Sequence, residues 1–247
     1  MPAAAPAGQL GLFDARDAPP EWAVRQSARA RRLTVKVFPG GRVEVVVPRG
    51  TGPVAVAAFV SRHRDWIDRK IAELRHVAVA PLEPLPREIE FQALGERWTV
   101  EYQAATSGTR VTATDGCLLV RGDLGRVRVL RHALQRWLMR HAHLRLGPWL
   151  AETALATSTQ FRRVQVRRQR TRWGSCSRRG TISLNACLLF QPPAVTRYLF
   201  VHELAHTVHM NHSSRFWRQV ADWEPDWRAL DRELMRGWRH VPAWVLA

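Results

Sequence analysis

The five residues His202-Glu203-Leu204-Ala205-His206 constrain this chain more than any other segment, because they make chemical sense in one conformation. On an α-helix, residues four apart lie about 40° apart around the axis and one turn along it, so two imidazoles can close on one ion. Glu203 then sits beside that ion without being a ligand. The flanking residues Tyr198, Leu199, Phe200 and Val201 are apolar, and in such a helix unliganded imidazoles and a buried carboxylate would be costly. With ten His in 247 residues, a shuffled chain of this composition would contain the pattern about 0.02 times, so coincidence is a poor account of it.

A catalytic zinc site takes three protein ligands and leaves a fourth position open. His212 follows His206 by six residues, and a straight helix would carry it ~280° around from His202. The helix is therefore predicted to end first. Asn211 tolerates the left-handed conformation that closes a helix, and Ser213 can cap a new one running through Phe216-Trp217-Arg218-Gln219-Val220. The rival third ligands are the carboxylates Asp222, Glu224 and Asp226, and Asp222, Asp226 or Asp231 could orient a ligand imidazole from behind. The expected site is one zinc per chain on His202, His206 and His212, with Glu203 as the general base that takes a proton from the zinc-bound water. The His206-to-His212 spacing also occurs in metzincins, but their turn glycine is His209 here and no Met-turn is evident, which excludes that family.

The rest of the chain supplies a frame. Leu33-Thr-Val-Lys-Val-Phe and Val43-Glu-Val-Val-Val-Pro alternate around Pro39-Gly-Gly as a β-hairpin. Residues 54–75 have helical spacing, 81–86 form a Pro-interrupted connector, and 89–130 return to short β-like runs. From Val129 the texture is helical, with Gly147-Pro148 bending or restarting the helix. Arg163-Val-Gln-Val-Arg and the run from Thr181 to Leu189 read as two strands flanking a Trp173-Gly-Ser-Cys-Ser turn. Pro192-Pro193 introduces the motif helix near Ala194.

Charge narrows the partners. The formal net charge is +17, and the surplus is uneven: 19 bases face 14 acids in residues 1–128, against 19 and 7 in 129–247. No acid occurs between Glu152 and Glu203, whereas nine Arg do, and the block 162–179, with Arg167, Arg168 and Arg170, could attract a nucleotide or nucleic acid. No apolar stretch is long enough for a membrane helix, and the first twenty residues lack the pattern of a secretory signal. Three widely spaced cysteines without a C-x-x-C pair argue against disulfides and thiolate zinc. A cytoplasmic protein is expected; its oligomeric state is not legible.

Arg172-Trp-Gly-Ser-Cys-Ser, Gly180-Thr-Ile-Ser-Leu-Asn, His202-Glu-Leu-Ala-His and Met210-Asn-His-Ser followed by Phe216-Trp217 together resemble the YgjP-like metallopeptidase family, relatives of the SprT-like zincins. The resemblance spans about residues 25–235. It implies a single zinc, a cytoplasmic bacterial protein and an α+β zincin core with a β-rich N-terminal part. The chain's own composition and patterning predict a flexible tail over 1–20 and a β-rich N-terminal module with one helix over 21–128. Residues 129–247 would then be a zincin-like helical core with a small antiparallel sheet and the motif helix. The resemblance also supports the ligand and base assignments above. In a zincin, an edge strand beside the metal can pair with an extended peptide, so Ile182, Ser183, Leu184 and Asn185, with Arg172 nearby, are the expected substrate shelf. Peptide hydrolysis is the leading expectation. A nucleotide pyrophosphatase or phosphoester hydrolase, an activity also attributed to this family, and a nucleic-acid-associated zinc protease are the alternatives.

Overall fold

Val43–Val47 is valine-rich and almost wholly buried, as the central strand of a sheet must be. In the computed structural model, which describes residues 22–38, 41–75 and 85–246, it is β3 of a three-stranded sheet ordered β1-β3-β2. Here β2 (Thr34–Val37) pairs antiparallel with β3, forming the predicted hairpin. β1 (Trp22–Gln26), which the sequence reading did not anticipate, runs parallel to β3 on its other side. The expected tail over 1–20 and most of the 81–86 connector lie outside the described residues.

The predicted helix over 54–75 is two helices, α1 (Pro53–Arg62) and α2 (Arg64–Arg75), which meet at His63. Four strands follow: β4 (Glu88–Phe91), β5 (Glu96–Ala104), β6 (Arg110–Thr114) and β7 (Cys117–Gly122), ordered β4-β5-β7-β6 with β5 and β7 parallel. α3 (Val127–Ala156) is one continuous helix of 30 residues through Pro148, where a restart was expected. Proline there gives no N–H to the carbonyl of Leu144, and Leu144 is 69 % exposed, so that lapse falls where water can compensate.

The third sheet holds β8 (Arg163–Arg167), β9 (Gly174–Cys176) and β10 (Thr181–Asn185) in the order β8-β10-β9. It was expected to be antiparallel and is mixed. Trp173-Gly-Ser-Cys-Ser is not a simple turn but carries β9, which pairs antiparallel with β10. The chain thus reverses twice between β8 and β10, and two reversals leave those strands parallel.

α4 (Pro193–Val208) begins with Pro193 in its first turn and packs against α3, α5 (Ser214–Trp223), α6 (Trp227–Arg236) and β9. A four-residue α7 (Ala243–Leu246) closes the described chain. Surrounded on all sides, α4 buries Tyr198, Phe200, Val201, Leu204 and Ala205 completely. Burying a side chain such as Phe200 contributes about 1.5–3 kcal/mol. The fold is mixed α+β, and none of its described helices is long and apolar enough to cross a membrane.

Candidate metal centre

The apolar run that buries α4 also carries His202, Glu203 and His206 inward, with His206 9 % and Glu203 4 % exposed. α4 ends at Val208 because His209 turns extended at φ −126°. Asn211, expected to close the helix in the left-handed region, has no positive φ. Ser213 does cap α5, its Oγ accepting the Phe216 N–H at 3.4 Å. This break returns His212 to α4, and one ring nitrogen from each of His202, His206 and His212 lies within 4.8 Å of the others. Among the described residues this is the one such group, and Asp222, Glu224 and Asp226 are not in it. Glu224 instead accepts a hydrogen bond from Arg197.

The outer nitrogens set the inner ones. His206 Nδ1 lies 3.1 Å from the carbonyl of His209 and donates to it, leaving Nε2 with a lone pair. Tyr198 Oη donates to Asp231 Oδ1 at 2.8 Å and lies 3.4 Å from His202 Nδ1, so it can accept the proton there. Burial, and then Asp231, push the Tyr198 phenol far up, which keeps its proton in place. Of the three acids proposed behind the ligands, Asp231 is the one that reaches them, and Tyr198 carries the contact. Tyr198 was read from sequence only as an apolar flank.

Nε2 of His202 and Nε2 of His212 then face each other at 3.1 Å. Three converging imidazoles, each able to turn a ring-nitrogen lone pair inward, are a donor set that fits a metal ion, and neutral imidazoles suit zinc. Burial, reinforced by the neighbouring His206 and His212, pushes His202 down to about 3, so it stays neutral at ordinary pH. Phe216 is fully buried beneath all three rings, with centroids 4.5 to 5.0 Å away, and Trp217 stacks on His212 at 5.5 Å.

Glu203 sits against β9. A Cβ at Gly174 would lie 2.6 Å from Glu203 Oε1, so this strand reaches the carboxylate only because position 174 is glycine. Glu203 Oε2 is buried without a hydrogen-bond partner. Burial raises the carboxyl to about 8 against the opposing charge of Arg172. A carboxyl held near neutrality in this way can both take and give a proton.

Other expected residues are placed differently. Ile182, Ser183, Leu184 and Asn185 form the central strand of the third sheet, paired on both sides and buried, so they offer no edge to a peptide. Asn185 uses its side chain to bond the carbonyls of Gln169 and Arg172. The edge beside Glu203 belongs to β9. Arg167 bonds Gln165, and Arg168 donates to the Val245 carbonyl at 2.8 Å, a structural contact. Arg170 is exposed. Of the Arg block, Arg172 is the member whose charge is felt at Glu203. Cys176, beside the site, is raised to about 11 by burial and then by Glu203, so it is no thiolate nucleophile at neutral pH.

Comparison with known proteins gives one family model, YgjP-like, metallopeptidase domain, matching residues 31–237. The metallopeptidase zymogen abylysin of Pyrococcus abyssi is similar to part of this chain, with 26% identity over 36% of it and 91% of that protein and a TM-score of 0.34. No curated protein matches the chain.

Proposed function

This chain belongs to the YgjP-like metallopeptidase family, and from that premise we propose that it hydrolyses peptide bonds with one zinc ion on His202, His206 and His212 and with Glu203 as general base. The convergence of three imidazole nitrogens beside a buried, unpartnered carboxylate carries this reading. Bound there, zinc would polarise a peptide carbonyl and lower the pKa of a coordinated water to about 7. Tyr198 and Asp231 hold His202 in the tautomer that presents Nε2, and the His209 carbonyl does the same for His206. Glu203 takes a proton at its free Oε2 and returns it to the leaving amine. The edge of β9 that pairs with no other described strand lines up an extended substrate beside Glu203 by backbone hydrogen bonds.

Within this reading, residues 21–128 are a β-rich N-terminal module and 129–247 the zincin-like catalytic part. The cysteines of the described chain are free, which suits a reducing, cytoplasmic setting. The test is metal analysis of the purified protein together with peptide cleavage by wild type and Glu203→Gln. One zinc per chain and cleavage lost in the variant are expected; no bound metal, or undiminished cleavage, overturns the proposal.

A further inference from the structure

Beyond the metal centre, a cleft of about 220 Å³ separates the N-terminal sheet from the chain segment that leads into β9. Its walls are Thr34–Val37 of β2, Trp66 and Lys70 of α2, and Arg172, Trp173 and Trp238. A strand's face shows every second side chain, so a wall built from four successive β2 residues means that the cleft meets that strand's edge. Among the described residues, no strand pairs β2 on that side. The opposite wall, Arg172 and Trp173, runs directly into the β9 edge that touches Glu203.

The lining has a definite chemistry. Lys36 and Arg172 are cationic, and among the described residues no acid lines the cleft. Trp173 and Trp238 stack at 4.4 Å as a flat apolar floor. Trp66 and Met235, 39 % and 42 % exposed, leave apolar surface at its rim. One strand edge, an aromatic floor and the cations Lys36 and Arg172 suit an extended chain that carries negative side chains.

We propose that the cleft between the β2 edge and Arg172–Trp173 is a docking subsite for an extended acidic segment of the peptide substrate, adjoining the scissile bond. The inference rests on the peptidase reading above and gives the N-terminal hairpin a part in choosing substrates. Lys36 is a binding residue here, with no contact to the reacting atoms.

The test uses the full zinc-loaded chain and two fluorescein-labelled peptides of equal length, one with three Glu and one with Gln at the same positions. Equilibrium binding is expected to favour the Glu peptide by about fivefold or more. Lys36→Glu should abolish that preference, and raising salt to about 0.5 M should weaken it. Should Lys36→Glu fail to fold, Lys36→Gln carries the same test with a smaller loss. Equal binding of the two peptides by wild type overturns the subsite, as does a preference unchanged in a folded Lys36 variant. Lys36-dependent binding of the Glu peptide by a chain that cleaves neither peptide removes the peptidase reading and supports the subsite. Cleavage of both peptides with no difference in binding does the reverse.

Discussion

Between the second sheet and α3, the ring of His141 stacks on Phe91 and Trp137, and its Nε2 lies 2.7 Å from Glu96 Oε2. Glu96 also accepts from Trp98 Nε1 and from Arg145. On α4, three imidazoles face one another with no carboxylate between them, and Glu203 Oε2 has no partner. Both clusters are histidine, glutamate and aromatic rings in the interior of one small fold. The first is closed, since its carboxylate is satisfied by protein donors. The second is left open, and buried polar groups left open mark places where a protein expects something from outside.

The largest effect that could break this contrast is at the glutamates. Glu203→Gln keeps the shape of a side chain that pairs with nothing at Oε2, so peptide cleavage should fall by about 10²–10⁴ while the thermal unfolding midpoint holds or rises. Glu96→Gln should do the opposite. It removes a charge that three donors address, costing about 1.5–3 kcal/mol in denaturant unfolding, and leaves zinc content at one per chain. A Glu203→Gln protein that is severely destabilised, or a Glu96→Gln protein that loses its metal, would erase the distinction between the clusters.

The two clusters also differed in how far the sequence disclosed them. His202, Glu203 and His206 lie within one helical turn, so their spacing is itself the geometry, and His212 needed only the break that Ser213 announces. Glu96 and His141 are 45 residues apart, and nothing local in the chain marks them as partners. The same limit hid Tyr198 and Asp231, which meet across 33 residues. It also put the peptide edge on β10, because strand order within the third sheet depends on which strand is inserted last, and a three-residue β9 reads like a turn. Gly174 was taken for a turn residue, whereas its lack of a side chain lets β9 approach Glu203.

A smaller effect sharpens the contrast from within the open cluster. Tyr198→Phe keeps the buried ring and removes the hydroxyl between Asp231 and His202. Zinc affinity should fall by about 10–100-fold in a chelator competition, since His202 loses the group that fixes its tautomer. Asp231→Asn should weaken zinc in the same direction. Unchanged affinity in both would make Tyr198 a packing residue like those around His141.

The smallest effect lies in the closed cluster and concerns pH. Burial lowers the pKa of His141, and the hydrogen bond and charge of Glu96 only partly offset that. Glu96 is pushed up by burial, but the hydrogen bonds of Trp98 and His141 and the charges of His141 and Arg145 outweigh this and hold it below its ordinary value. His141 is therefore neutral at pH 7 and donates its Nε2 proton to an ionised Glu96. In the unfolded chain it would take up a proton near pH 6.5, ahead of the folded form, so its contribution to stability is complete above that pH and is lost as pH falls below it. The loss attributable to one such group is at most about 1.4 kcal/mol per pH unit. Denaturant unfolding of the zinc-loaded protein between pH 7 and 5 should show it, with a shallower slope in His141→Gln whatever that variant's absolute stability. A stability that rises on acidification through pH 6 would mean that His141 gains its proton in the fold and pairs with Glu96 as an ion, a cluster closed by charge and not by a neutral donor.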